Sequence, residues 1–223
     1  RNIEVDFFGG EPLMAMDVVK GTVEYARSLE KKHDKVFRFT ITTNGVLLDD
    51  ETIDYINREM SNVVLSLDGR QSVNDRMRPT VNGKGSYDVI VPRFQKLVAQ
   101  RGTKDYYVRG TFTRDSLDFA QDILHMGDLG FRHVSVEPCS GPPEDPYAIR
   151  AEDLGRVEEE YEKLAGLLKD RKDINFFHFN VDLSQGPCVI KRLRGCGAGC
   201  EYVAITPDGD IYPCHQFVGK EEF

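Results

Sequence analysis

No run of apolar residues approaches the roughly 20 needed to cross a bilayer as a helix, and no signal-peptide pattern opens the chain. The expectation is a cytoplasmic protein with no membrane partner. Basic residues never gather either: 29 lysines and arginines lie scattered among 37 aspartates and glutamates, giving a net charge of −8. Following phosphates takes a basic stripe, so no nucleic acid is expected as a partner. Internal repeats, low-complexity tracts and C-x2-C zinc pairs are all absent. So is an initial methionine. The sequence opens on Arg1 inside a strand-like pattern and closes on "GKEEF", which reads as a piece of a longer protein.

What is present is ordinary for a globular chain, long enough for one large domain or for one domain and part of a second. Five β-rich runs, at 3–9, 36–44, 62–68, 106–113 and 133–138, alternate with amphipathic helical patterns near 13–33, 49–60, 86–101 and 117–129. That alternation predicts a parallel sheet with right-handed crossovers. Side chains on a strand point to alternate faces. One set is apolar, with Val5, Phe39, Ile41, Val63, Leu65, Val108, Val134 and Val136 among its members, and should pack under the helices. The other set carries Asp6, Thr40, Asn44, Ser66, Asp68, Arg109, Thr111, His133 and Glu137. Doubly wound sheets are covered on both faces and tend to be apolar on both. A polar face on every strand predicts instead a curved sheet, a full or partial barrel whose interior holds a polar ligand. Arg109 and Glu137 read equally well as a structural ion pair across strands.

The strand ends carry the chemistry. "GGEP" (residues 9–12) follows the first strand, "TTNG" (42–45) ends the second and "SLDG" (66–69) ends the third. Glycines there let a backbone approach a ligand, and Glu11 can accept from an ammonium group. Each motif alone is also an ordinary turn, with Pro12 starting a helix. All three lie at the edge where parallel α/β folds bind ligands. Beyond SLDG, "NDRMRPTVNGKGSYD" (74–88) reads as a basic loop, where Arg76 or Arg78 serves either as a carboxylate clamp or as surface charge.

After a Pro/Gly-rich break, 152–172 reads as a solvated helix with an acidic start and a basic end. The texture then changes near residue 180. "YVAITPDGDIYPC" predicts a β-hairpin flanked by cysteines. Cys188, Cys196, Cys200 and Cys214, with His215 adjacent, are clustered as thiolates for metal would be. Spacing leaves zinc, iron–sulfur and idle thiols open. Cys139 stands alone and reads as an inert small hydrophobe.

Taken together, "FFGGEPL", "TTNGVLL", "SLDG" and "GCGAGCEYVAITPDGDIYPC" resemble the radical S-adenosylmethionine (SAM) enzymes with a SPASM-type extension. "DFFGGEPLM", "YYVRGTFTR", "FFHFNVDL" and "YPCHQFVG" look closest to the maturases that install thioether cross-links in six-cysteine (SCIFF) precursor peptides. The resemblance implies an α/β partial barrel of the TIM-like radical SAM type over 1–180 and the start of a SPASM extension over 181–223. It makes Gly9, Gly10, Glu11 and Pro12 the site for the SAM amino group. Ser66 and Asp68 would meet its ribose or methionine part, with Asn44 beside them and Arg78 on its carboxylate. Cys196 and Cys214 would bind an auxiliary 4Fe-4S cluster, with Cys188 as a third ligand and Cys200 as its competitor. A cysteine-rich precursor peptide and an electron donor such as ferredoxin or flavodoxin are the implied partners.

Two departures stand out: the C-x3-C-x2-C loop for the SAM-cleaving 4Fe-4S cluster is missing, and so are the later cysteines of a second auxiliary cluster. Both are expected outside the sequence, so no catalytic residue is assigned and the piece alone is expected to be inactive. Another SPASM maturase, acting on a sulfatase or forming carbon–carbon bonds, and a non-catalytic zinc-binding protein on a partial barrel are the competing readings.

Overall fold

β-branched and aromatic residues at alternating positions pull the first 180 residues into a six-stranded parallel sheet, seen in a computed structural model that describes residues 2–142, 144–180 and 197–220. The strands are β1 (Asn2–Phe7), β2 (Val36–Thr43), β3 (Asn62–Ser66), β4 (Tyr107–Phe112), β5 (His133–Pro138) and β6 (Asn175–Phe176). Their spatial order is their chain order. With right-handed crossovers, that order puts every connecting helix on one face and leaves the other to curve inward. The result is a partial barrel. Among the described residues no pairing closes β6 onto β1.

The helices are α1 (Met16–His33), α2 (Asp50–Glu59), α3 (Gln71–Met77), α4 (Tyr87–Gln100), α5 (Phe119–Asp128) and α6 (Leu154–Leu168). Beneath them the apolar strand set forms the core: Phe39, Ile41, Val63, Leu65, Val108, Val134 and Val136 are fully buried. Ile3 belongs to the same set yet is 37% exposed, because β1 is the edge strand and has a neighbour on one side only. α1 contributes Val19, Val23 and Ala26, spaced to share one helix face. Its last turn holds Lys31, Lys32 and His33, which favour the carboxyl end of the helix dipole. The charged stretch expected as a solvated helix forms α6, which buries only Glu160 and Leu164.

Two elements depart from the sequence expectation. α3 runs into the segment read as a loop because Val73 and Asn74 are buried there. Asn74 Nδ2 donates to Ser86 Oγ at 3.1 Å, and Asp75 Oδ1 accepts from Tyr87 N at 2.8 Å, tying α3 to the start of α4. β6 was not foreseen, since two residues are too short to show alternation.

The chain divides into two compact units, Arg1–Asn180 and Val181–Phe223. In the second, β7 (Ala204–Ile205) and β8 (Ile211–Tyr212) pair antiparallel across the Pro-Asp-Gly-Asp turn, as the hairpin pattern predicts.

Gly110 fixes how closely β4 approaches the end of β3. A Cβ there would lie 2.6 Å from Leu67 O and 2.8 Å from Asp68 Cα, both backbone atoms. Gly110→Ala should therefore lower stability by about 1–3 kcal/mol, read as a reduced urea midpoint at unchanged m-value.

Candidate cofactor-binding site

The site is built on the carboxyl ends of β1, β2 and β3. Gly9 and Gly10 have φ of +83° and +53°, backbone conformations that L side chains rarely adopt, and the space a Cβ would enter is open at both. Both residues are exposed at the strand end. Pro12 starts a single helical turn, Pro12–Ala15, that leads into α1.

Glu11 joins two of the rim motifs. Its Oε1 accepts from Leu13 N at 3.1 Å, capping that turn, and from Thr43 Oγ1 at 2.8 Å. Its Oε2 accepts from Asn44 N at 2.8 Å. GGEP and TTNG are thus held by one carboxylate, with lone-pair capacity left for a further donor. Asn44 spends its side-chain oxygen within the turn, accepting from Val46 N at 2.9 Å.

Asp68 performs the matching task at the third strand end. It is 3% exposed, and both its oxygens accept from Arg78, Nε to Oδ2 at 2.8 Å and Nη2 to Oδ1 at 2.9 Å. Thr111 N also donates to Oδ1 at 2.9 Å. Asp68 and Arg78, read separately from the sequence as ligand contacts, are thus each other's partners. The Ser66 hydroxyl, half-buried on the polar face, has no side-chain partner among the described residues. Arg76 is exposed.

Deeper on that face the register sets Ser66, Arg109 and Ser135 side by side, and Thr111 beside Glu137. Arg109 is exposed and lies 5.9 Å from the Phe8 ring. It makes no ion pair with Glu137, whose partners are Ser135 and His178. Asp6 is exposed and Thr40 half-buried on neighbouring strands. His133 packs edge-on against Tyr106 and Tyr107, and burial, reinforced by Arg132, pushes its pKa down. Its Nδ1 also lies 3.2 Å from Asn175 Nδ2, a contact that ties β5 to β6.

Among the cysteines, Cys188 and Cys196 lie outside the described residues. Cys200 and Cys214 are free thiols on adjoining segments: Gly199 N donates to Pro213 O at 2.9 Å, so the loop bearing Cys200 is fastened beside Cys214. Spacing alone did not reveal this backbone link. Among the described residues no three His, Cys, Asp or Glu side chains gather in metal-holding geometry.

Residues 3–110 match the Radical SAM superfamily model. The chain carries a radical SAM domain. Its homologues include the "Cysteine-type anaerobic sulfatase-maturating enzyme" of Clostridium novyi, 25% identical over 234 residues that cover 99% of this chain and 61% of the relative. Another is "Mycofactocin maturase MftC" of Mycolicibacterium smegmatis, 29% identical over 225 residues, 94% of this chain and 51% of the relative. Among solved structures, "Native anSMEcpe with bound AdoMet" superposes with a TM-score of 0.78 at 17% identity, covering 97% of this chain and 61% of that one. The likeness shows the fold, an α/β partial barrel with a six-stranded parallel sheet. The chain spans between 51% and 61% of the length of these proteins. It is homologous to maturation enzymes.

Two measurements test the site's architecture. A double-mutant cycle over Asp68→Ala and Arg78→Ala should give a coupling of about 1 kcal/mol, the lower part of the range for contacting residues, because Arg78 retains 31% exposure. Additive effects would contradict the pairing. Burial, with Asp145 adding, pushes the Cys139 thiol up, so less thiolate is present at pH 8. Timed iodoacetamide labelling read by peptide mass spectrometry should find Cys139 about threefold or more slower than an unperturbed cysteine.

Proposed function

We propose that this rim holds SAM, and that the whole protein is a maturase installing cysteine thioether cross-links in a ribosomally made, cysteine-rich precursor peptide. The observation that carries the cofactor reading is the exposed, positive-φ backbone at Gly9 and Gly10 beside a Glu11 carboxylate already fixed by Thr43 and Asn44. A fixed anion beside exposed peptide groups suits an α-amino acid terminus, since the ammonium meets a carboxylate that needs no reorganisation. In this reading Gly9, Gly10, Glu11 and Pro12 bind the amino group, while Ser66 and Asn44 meet the ribose or methionine part. Asp68 and Arg78 act as a pair, Asp68 shaping the strand end and Arg78 offering its remaining nitrogen, Nη1, to the carboxylate.

Together with a reduced 4Fe-4S cluster, bound SAM supplies a 5′-deoxyadenosyl radical able to take a hydrogen atom from a peptide residue. Ligands for that cluster are proposed outside these residues, and a ferredoxin or flavodoxin as the source of the electron. Cys188, Cys196 and Cys214 are proposed for an auxiliary 4Fe-4S cluster. The link between Gly199 and Pro213 supports Cys200 as a competitor for the third position. The polar strand face, with Thr111, Ser135 and Glu137, gives the peptide hydrogen-bonding partners.

A sulfatase-type maturation is the second reading, favoured by a match to the Clostridium novyi enzyme that runs over 99% of this chain. The full-length protein, reconstituted anaerobically with iron and sulfide, separates the alternatives when co-expressed with its precursor. Loss of two hydrogens per modification with one thiol consumed is the expected mass change. A carbonyl product with sulfur lost supports the sulfatase type, and a colourless protein with stoichiometric zinc overturns the cluster assignment. Glu11→Gln should weaken SAM binding about tenfold, as calorimetry on the reconstituted protein would read it.

A further inference from the structure

Cofactor binding leaves one construction on the polar face unused. Glu137 stands at the carboxyl end of β5 with its side chain 42% exposed. Ser135, on the same face, donates Oγ to Glu137 Oε1 at 2.5 Å, and His178 Nε2 lies 2.9 Å from Oε2. His178 sits in the single turn Phe177–Phe179 that follows β6, and its Nδ1 lies 2.8 Å from the Tyr161 hydroxyl of α6. A chain of contacts thus runs from α6 through His178 to one carboxylate on β5.

With a neutral imidazole at His178, the protons in this chain have one consistent arrangement. Tyr161 is packed against Phe119 at 4.9 Å, Phe179 at 6.4 Å and Phe176 at 6.5 Å between ring centres. Burial, reinforced by the Glu137 charge, pushes its phenol pKa up, so its oxygen keeps its proton. The phenol then donates to Nδ1, which makes His178 the Nε2–H tautomer, which in turn donates to Glu137. With Ser135 also donating, the Glu137 carboxyl group is oriented by two donors. Thr111 lies across the register from Glu137, and Ser135, Arg109 and Ser66 continue the polar row.

A structural ion pair would serve if fastening β6 to β5 were the only need. That arrangement does not account for half-exposure of the carboxylate, nor for a half-buried tyrosine spent on setting a histidine tautomer. We infer that Glu137 is the proton acceptor for the peptide substrate, with His178 and Tyr161 as positioning residues that hold its carboxyl group in place on the polar face. The inference rests on the maturase reading. The substrate's X–H bond breaks, an O–H bond forms on Glu137, and the electron pair stays on X. A carboxylate is a weak base, which matches a proton made acidic as the sulfur or carbon bearing it is oxidised: one hydrogen atom leaves to the 5′-deoxyadenosyl radical, the proton goes to Glu137, and the remaining electron goes to a one-electron acceptor of the full-length protein, an oxidised iron–sulfur cluster.

The test uses the full-length protein with SAM, a chemical reductant and the cysteine-bearing precursor. Glu137→Gln keeps the hydrogen-bonding shape and removes the basicity. It should leave the Kd for SAM and the yield of 5′-deoxyadenosine within about twofold, while modified peptide falls about 100-fold. Tyr161→Phe should lower modified peptide less, by about fivefold, again with SAM binding unchanged. If Glu137→Gln fails to fold, this second variant carries the test. Independently of turnover, two-bond 15N–1H spectra of histidine-labelled protein should report His178 as the Nε2–H tautomer.

Product within about threefold of wild type in Glu137→Gln overturns the inference. So does a tenfold loss of SAM affinity, which would make Glu137 a cofactor ligand, or an Nδ1–H tautomer at His178. If the wild type forms no modified peptide, the maturase reading falls, and the tautomer and SAM affinity still decide for or against the relay.

Discussion

A carboxylate that accepts from the neighbouring strand end is the fastening on which the rim depends. At the carboxyl ends of parallel strands the ladder stops, and the last amides and hydroxyls need partners other than the next strand. Glu11 accepts from Thr43 and Asn44 and so binds the first strand end to the second. Asp68 accepts from Thr111 and Arg78 and binds the third to the fourth. Side-chain anions thereby fix both the spacing of the strand ends and the sign of the local field before any ligand arrives. A cationic amino group meets a prepared partner, and an anionic group must look to Arg78 or Arg109.

The layering was legible in the sequence because alternation on five strands is a repeated signal, and each repeat carries the same polar and apolar division. Phe39, Ile41, Val63, Leu65 and Val108 could be placed under the helices from their parity alone. The rim was legible for a related reason: glycine and small polar residues recur at each strand end. What parity could not supply was partnership. Asp68 and Arg78 are ten residues apart with α3 between them, and only the buried Val73 and Asn74 reveal why that segment coils back. Glu137 and His178 are farther apart still, joined by a strand of two residues that carries no periodic signature. Arg109 and Glu137, plausible partners across a register, prove to have separate surroundings.

The cysteine-bearing unit shows the same division between composition and contact. Its hairpin follows from "PDGD" between two short β runs, which is local chemistry. The nearness of Cys200 to Cys214 comes from a backbone bond between Gly199 and Pro213, fourteen residues apart. No count of intervening residues encodes such a bond.

Gly110 gives the barrel mouth its gauge. The missing methyl lets β4 lie against the turn that carries Asp68, and Thr111, the next residue, thereby comes within reach of that carboxylate. The width of the opening is accordingly set by an atom that is not there. Enlarging the pocket for a bulkier ligand would have to begin elsewhere on the sheet, since β3 and β4 can separate only by letting go of the Asp68 anchor.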